Sequence, residues 1–243
     1  GVNGAAGQTF SGTNAYYVAW NWKAGGTAVS NTDGTITSQV SANVDAGFSI
    51  VKFTSNASTL TAGHGLNSIP DLIIVKATSF ADSWFVNSSA LTNQTDRALR
   101  LNATSAEETN SAFWNNVAPT STTFSLGNGI SINGNSYIAY CFASKAGYSK
   151  VGSYVGTGAT GNVQYLGFEP AFLLVKRTSS TSDWYMIDNK RNPSNPRNSW
   201  LNANTSTAEY TPSHGVDFLS NGFSFISTDL NGTGQSWIFL AIA

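Results

Sequence analysis

Charge is the scarcest ingredient of this chain: 10% of its 243 residues are charged, and the formal net charge is −1. Electrostatic capture of nucleic acid needs a basic surface, so this composition argues against it. It argues equally against a polybasic membrane patch. Histidine is almost missing, with His64 and His214 the only two, which leaves no His-rich metal site. A single cysteine, Cys141, excludes any disulfide within the chain. It lies in an apolar run and reads as a small buried hydrophobe. No stretch approaches the roughly 20 apolar residues that span a bilayer as a helix, so membrane insertion is not expected. A signal peptide and an initiator methionine are both missing (the one methionine is Met186), and the chain is expected to be part of a longer polypeptide.

What is there instead is Ser, Thr, Asn and Gly, with 12% aromatics. A neutral polar coat of this kind suits a secreted, surface or virion β protein better than a cytosolic enzyme. The dominant feature is a repeat. Pro70-Asp71-Leu72-Ile73-Ile74-Val75-Lys76-Ala77-Thr78-Ser79 returns 100 residues later as Pro170-Ala171-Phe172-Leu173-Leu174-Val175-Lys176-Arg177-Thr178-Ser179. The short branched run between a proline and a lysine is a buried strand. The same offset pairs Gly47–Val51 with Gly147–Val151, Leu66 with Leu166, Trp84 with Trp184, Arg97 with Arg197, and Leu101–Ala103 with Leu201–Ala203. It also pairs the closing runs Tyr137–Ala143 and Trp237–Ala243. Internal repeats fix architecture before residue-level reading begins.

The expected fold is all-β: two tandem homologous antiparallel β-sandwich modules, jelly-roll-like, at 47–143 and 144–243. A short strand and a loop-rich connector, 1–46, precede them. The stretch Asn14–Lys23 resembles each closing strand and is read as a strand. One more is expected near Ile36–Val44. Within the modules, strands are expected near 47–54, 58–63, 70–78, 84–88, 97–102, 122–126 and 136–143, then 147–155, 162–167, 170–178, 184–188, 198–202, 222–228 and 236–243. Asn133-Gly134 and Asn231-Gly232 supply the positive φ of tight turns. Residues 104–116 have room for one helical turn. The closing strands are apolar at nearly every position, whereas a strand with one wet face alternates. Both their faces are therefore expected to be covered, the far one by the other module or another subunit.

Candidate chemistry is thin. His64, between two glycines, and His214 read as exposed loop histidines. The nucleophile elbow G-x-S-x-G is absent. Glu107-Glu108 reads as a solvated pair rather than two carboxylates across a glycosidase cleft. The aspartates Asp82, Asp96, Asp183, Asp188, Asp217 and Asp229 lack the spacing of a calcium loop. No catalytic residue, metal site or cofactor is expected. The candidate contact residues for a ligand or a neighbouring subunit are Trp114, Asn115, Asn116, Lys190, Arg191, Arg197 and Trp200. The two tryptophans are read as surface stacking faces for sugars. The three cations lie in the proline-stiffened loop Asp188–Arg197, where they can meet an acidic glycan or a neighbouring subunit. Trp84 and Trp184, at equivalent strand positions, are read as core.

Gly47–Val51, Gly63-His64-Gly65-Leu66, Pro70–Lys76, Phe113-Trp114-Asn115, Asn133-Gly134 and Tyr137–Ala143 together resemble a domain of tailed-phage structural proteins. Lys190-Arg191-Asn192-Pro193 fits the same pattern. The family includes many aquatic and marine phage sequences, often attached to lectin-like jelly rolls in proteins assigned to tail fibres. The resemblance covers residues 12–243 and implies a virion location in a tail or head appendage. It implies attachment to a host-surface glycan through several copies, a homo-oligomer (a trimer above others), and other virion proteins as partners. A capsid decoration or baseplate part without receptor binding, and a polysaccharide depolymerase, are the alternatives. The resemblance carries over no catalytic residues.

Overall fold

The computed structural model describes residues 16–212 and 215–243. The chain is all-β, with one helical turn, α1 (Ser111–Trp114), among the described residues. The first half contains β1 (Val29–Asn31), β2 (Ser38–Asn43), β3 (Phe48–Thr54), β4 (Leu60–Gly63), β5 (Leu72–Ala77), β6 (Trp84–Ser88), β7 (Arg97–Arg100), β8 (Glu108–Thr109), β9 (Thr123–Leu126) and β10 (Ser136–Phe142). The second contains β11 (Ser149–Val155), β12 (Asn162–Tyr165), β13 (Phe172–Arg177), β14 (Trp184–Asp188), β15 (Leu201–Asn202), β16 (Val216–Leu219), β17 (Gly222–Phe225) and β18 (Ser236–Ile242). Every named ladder is antiparallel.

Each half has a large sheet and a small one. The large sheets run β1-β2-β3-β10-β5-β6-β7-β8 and β11-β18-β13-β14-β15; the small ones run β4-β9 and β12-β17-β16. β3 pairs with β10 and β4 with β9, one pair nested inside the other across two sheets, as in a jelly roll. The β5–β6–β7 meander departs from that wrapping by staying in one sheet.

Side-chain alternation then sorts the apolar residues into three clusters. Tyr137, Ala139 and Cys141 of β10, with Ile73 and Val75 of β5, face the first small sheet and its Leu60, Phe124 and Leu126. Trp237, Phe239 and Ala241 of β18, with Leu173 and Val175 of β13, face Phe223 and Phe225 of the second. The opposite faces of the two large sheets meet each other: Phe48, Leu72, Ile74 and Phe142 against Phe172, Leu174, Leu240 and Ile242. This seam explains why the closing strands do not alternate, since both faces of a central strand are buried. Trp84 and Trp184 lie in the seam, as a core reading requires.

Hydrogen bonds close the seam at one side. The indole N–H of Trp184 donates to the Arg100 carbonyl at 2.9 Å. Ser182 N–H donates to the Thr104 carbonyl at 2.9 Å, and Glu107 N–H to the Thr178 carbonyl at 3.0 Å.

The repeat holds at its centre and slips at two places. Tyr137 pairs with Ala77 and Trp237 with Arg177, so the β5–β10 and β13–β18 ladders share one register at an offset of 100. In the first strand, however, Ala143 N–H reaches the Gly47 carbonyl while Ala243 N–H reaches that of Tyr148. Gly47 thus corresponds to Tyr148 rather than Gly147. Side chains alternate faces, so this one-residue shift decides that Phe53 and Tyr154, not Phe53 and Ser153, face the two inner cores. At the β7 and β15 positions, Arg100 and Asn202 both pair with the residue after the seam tryptophan, so the offset there is 102. The extra residues lie in the loop after β14, where length changes disturb no ladder.

Two further expectations change. Residues 16–23 form an irregular strap, not a strand, and residues 14 and 15 lie outside the described residues. The connector contributes two strands, not one, and β2 pairs along β3 to extend the first large sheet. β8 and β16 are likewise additional.

Replacing Leu240, 3% exposed in the seam, by alanine should lower the unfolding free energy by about 2–5 kcal/mol in a urea titration. A loss below about 1 kcal/mol would mean that the two large sheets do not depend on each other.

Candidate functional site

The strap and the loop after β14 meet at one carboxylate. Asp188, at the end of β14 and almost fully buried, accepts the backbone N–H groups of Lys190 and Arg191, each at 2.9 Å. Such side-chain-to-backbone bonds close a tight turn around the aspartate. Its other oxygen accepts Arg191 Nε at 2.7 Å and the indole N–H of Trp20 at 3.1 Å. Arg191 continues outward, donating to Glu209 at 2.6 Å and to the Met186 carbonyl at 3.0 Å. Its guanidinium lies 5.5 Å from the Trp20 ring, within cation–π range. Burial pushes the Asp188 carboxyl up, but the Arg191 guanidinium and the two backbone donors outweigh it and hold it below the usual carboxylate range.

This latch holds the strap against the seam. Trp20 tilts against Phe172 at 5.5 Å, and Trp22 sits edge-on to Phe142 and Phe172 at 6.0 and 5.6 Å. Outside the latch lies an open groove lined by Tyr16, Tyr17, Val18, Arg191, Leu201, Ala208 and Glu209. Tyr16 is fully exposed and Tyr17 largely so. Glu209 remains 44% exposed in its ion pair. The groove therefore offers phenol rings, a carboxylate and a guanidinium edge, a set able to stack on and hydrogen-bond to a polyhydroxylated molecule.

Of the residues singled out in the sequence, only Arg191 lines this groove. Trp114 and Trp200 are corrected outright, being buried at 2% and 3% exposure. Trp114 sits in α1, packed on β7 and β9, and donates its indole N–H to the Arg97 carbonyl at 2.8 Å. Trp200 does the same to the Arg197 carbonyl at 3.1 Å and is edged by Tyr185 and Tyr210. Neither ring has a face to stack on a ligand. Arg197 is also buried, over the Phe218 ring at 5.6 Å, and donates to the Asn192 carbonyl at 2.8 Å. Lys190 is exposed. Asn115 and Asn116 are exposed too, at φ 56° and 55°, the left-handed conformation that asparagine tolerates. Asn115 ends α1.

Other polar expectations shift as well. Glu107 and Glu108 are both ion-paired, Glu107 mostly buried beside Arg97 at 3.3 Å and Glu108 still a third exposed beside Arg100 at 2.9 Å. His64 is buried at 0% exposure, not exposed by its glycines. Leu66 N–H donates to its Nδ1 at 3.2 Å, leaving Nε2–H to donate to the Thr120 carbonyl at 3.2 Å. Burial lowers its pKa, against the pull of the Thr120 carbonyl and Asp33. His214 lies outside the described residues. Cys141 is buried, and its thiol is pushed up to about 12. Lys176 is fully buried at the seam, donating to the carbonyls of Thr104 at 3.0 Å and Ser182 at 2.7 Å. Burial, with Arg177 adding to it, brings its pKa down to about 8. Among the described residues no three of His, Cys, Asp and Glu gather as metal ligands would.

Two pH responses follow. Folded His64 binds its proton less readily than unfolded histidine, so the unfolded state holds more protons below about pH 6.5 and stability falls there. Urea midpoints should drop from pH 7.5 to 5.5, and His64→Gln should flatten that slope. Folded Lys176 gives up its proton near pH 8 while the unfolded side chain keeps it to about pH 10.4, so stability should rise between pH 8 and 9.5. Lys176→Met should abolish the rise; a rise that persists in the variant would assign it elsewhere.

No curated protein and no solved structure matches the chain. A family model matches residues 1–243 throughout. The chain therefore belongs to the family described as Domain of unknown function (DUF7483).

Proposed function

We propose that this chain is a non-catalytic component of a tailed-phage virion, built as two tandem β-sandwich modules at 47–143 and 144–243 in a tail or head appendage. It contributes to host attachment through a glycan-type receptor. The resemblance of its repeat motifs to phage structural proteins supports the virion reading. The observation that carries the attachment reading is the groove where Tyr16 and Tyr17 stand exposed beside the Arg191–Glu209 pair. Aromatic faces and planar charged groups are the chemistry that holds sugar rings and hydroxyls. One such groove is a weak site. Several copies in a homo-oligomer, with a trimer the preferred state, raise the strength of attachment by effective concentration without new contacts.

A purely structural role, in capsid decoration or a baseplate, is favoured by a different observation. Among the described residues the outer edge of β11 carries no paired strand, whereas the corresponding edge of β3 is covered by β2. An open strand edge is a template for pairing with another chain.

Purified protein should bind host cells or a host-glycan array, and Tyr16→Ala with Tyr17→Ala should reduce binding about tenfold in protein whose folding is checked by circular dichroism. Binding unaffected by both substitutions would remove the groove from the account. No binding to any host surface would leave the structural reading. Light scattering should give a mass above that of one chain; a monomer would remove the multivalent mechanism.

A further inference from the structure

The seam between the two large sheets is not closed along its whole length. Phe48, Leu72, Val86, Leu99 and Leu240 are buried there, yet Ile50, Leu101, Tyr140, Met186 and Ala203, in the same apolar layer, are only half-buried. They surround a cavity of about 340 Å³ that opens beneath the strap. Its walls come from both sheets, and Trp20, Asn21 and Trp22 form its roof. Among the described residues none of the lining side chains carries a formal charge at neutral pH, and the polar ones are Asn21, the Tyr140 phenol and the indole N–H groups. The Trp20 N–H is already held by Asp188.

We infer that this cavity is a binding site for one small, uncharged, apolar molecule of aromatic character. Size supports this: an engineered apolar cavity of about 150 Å³ stays dry and takes up benzene, so one of about twice that volume has room for a two-ring molecule. It also falls within the roughly 300–1,000 Å³ of small-molecule pockets, which are apolar with few polar groups. The rings of Trp20, Trp22, Phe142 and Phe172 meet at tilted and edge-on angles, the arrangement into which another flat ring packs. Charge decides the class of ligand. Nothing lining the cavity neutralises an anion, and burying an unpaired charge is costly. The site is distinct from the surface groove, because its lining shares no residue with it.

The probes are N-phenyl-1-naphthylamine, which is neutral and brightens in apolar surroundings, and its sulfonated relative 8-anilino-1-naphthalenesulfonate. Titrated into the full chain, the neutral probe should saturate at one per chain and quench tryptophan emission, and the sulfonate should bind at least about tenfold more weakly. Unlabelled naphthalene should displace the neutral probe. Ala203→Phe and Leu101→Trp, which fill the cavity from two sides, should each weaken probe binding about tenfold, with folding checked by circular dichroism. The inference is overturned if the neutral probe does not saturate, as it would not were the cavity already occupied by more of the chain or by a second copy. Equal binding of the sulfonate, or unchanged binding in a folded filled variant, overturns it as well. If neither filled variant folds, the comparison of the two probes and the naphthalene competition on the unaltered chain decide the matter.

Discussion

Everything in this molecule depends on the burial of both faces of β10 and β18. Each is the second member of a nested pair, lying between β3 or β11 and the long apolar strand β5 or β13. One face of each closes an inner core, and the other can only be covered by the opposite half. Fully burying a Leu, Ile or Phe side chain is worth about 1.5–3 kcal/mol, so exposing the whole seam to water would cost more than a small domain's net stability of roughly 5–15 kcal/mol. The two halves are therefore held as one body by the same residues that make each a β structure.

Against that shared frame the halves have diverged where they are free to. In the first, Arg100 lies over the Phe85 ring and forms a two-armed ion pair with Glu108. At the corresponding places the second has Asn202 and Tyr185, with Asn202 bonded to Asp183 and Tyr210. Lys76 is half-buried and bonds to the carbonyl of its neighbour Ala77, whereas Lys176 is fully buried and reaches across the seam to Thr104. The ladder register is common to both halves, but the polar groups at its margins are not. In β11, Gly152 leaves space for the Phe239 ring, which a Cβ would approach to 2.6 Å. Its counterpart in β3, Val51, carries a full side chain.

The frame was legible in the sequence because hydrophobic periodicity and an offset of 100 act over many residues at once. The seven strands expected in each half fall on observed strands, although 198–202 shrinks to two residues. The candidate site was much less legible. The closing-strand likeness of 14–23 was real, but a likeness cannot say whether a segment pairs with a sheet or lies across one. Trp114 and Trp200 looked like surface rings because they stand in polar stretches. Their burial comes from neighbouring elements on both sides: β7 and β9 for the first, Tyr185 and Tyr210 for the second. Arg191, singled out in the sequence, lines the groove, yet its partner Glu209 lies 18 residues on, at a spacing no local motif encodes. For His64, flanking glycines suggested exposure. Gly63 and Gly65 instead let the side chains of Asn31 and Val40 come close to the loop, and the ring is buried.

The position of the closing strands also sets the order in which the molecule can assemble. Phe48 must wait for Phe142 and Ser149 for Ile242, so each large sheet lacks its central member until nearly all of its half has been synthesised. Pairings of such separation carry a loop-closure cost before they return any contact energy, which slows folding. Until then β3, β5, β11 and β13 present unpaired apolar edges to other nascent chains, the condition under which β-rich polypeptides aggregate.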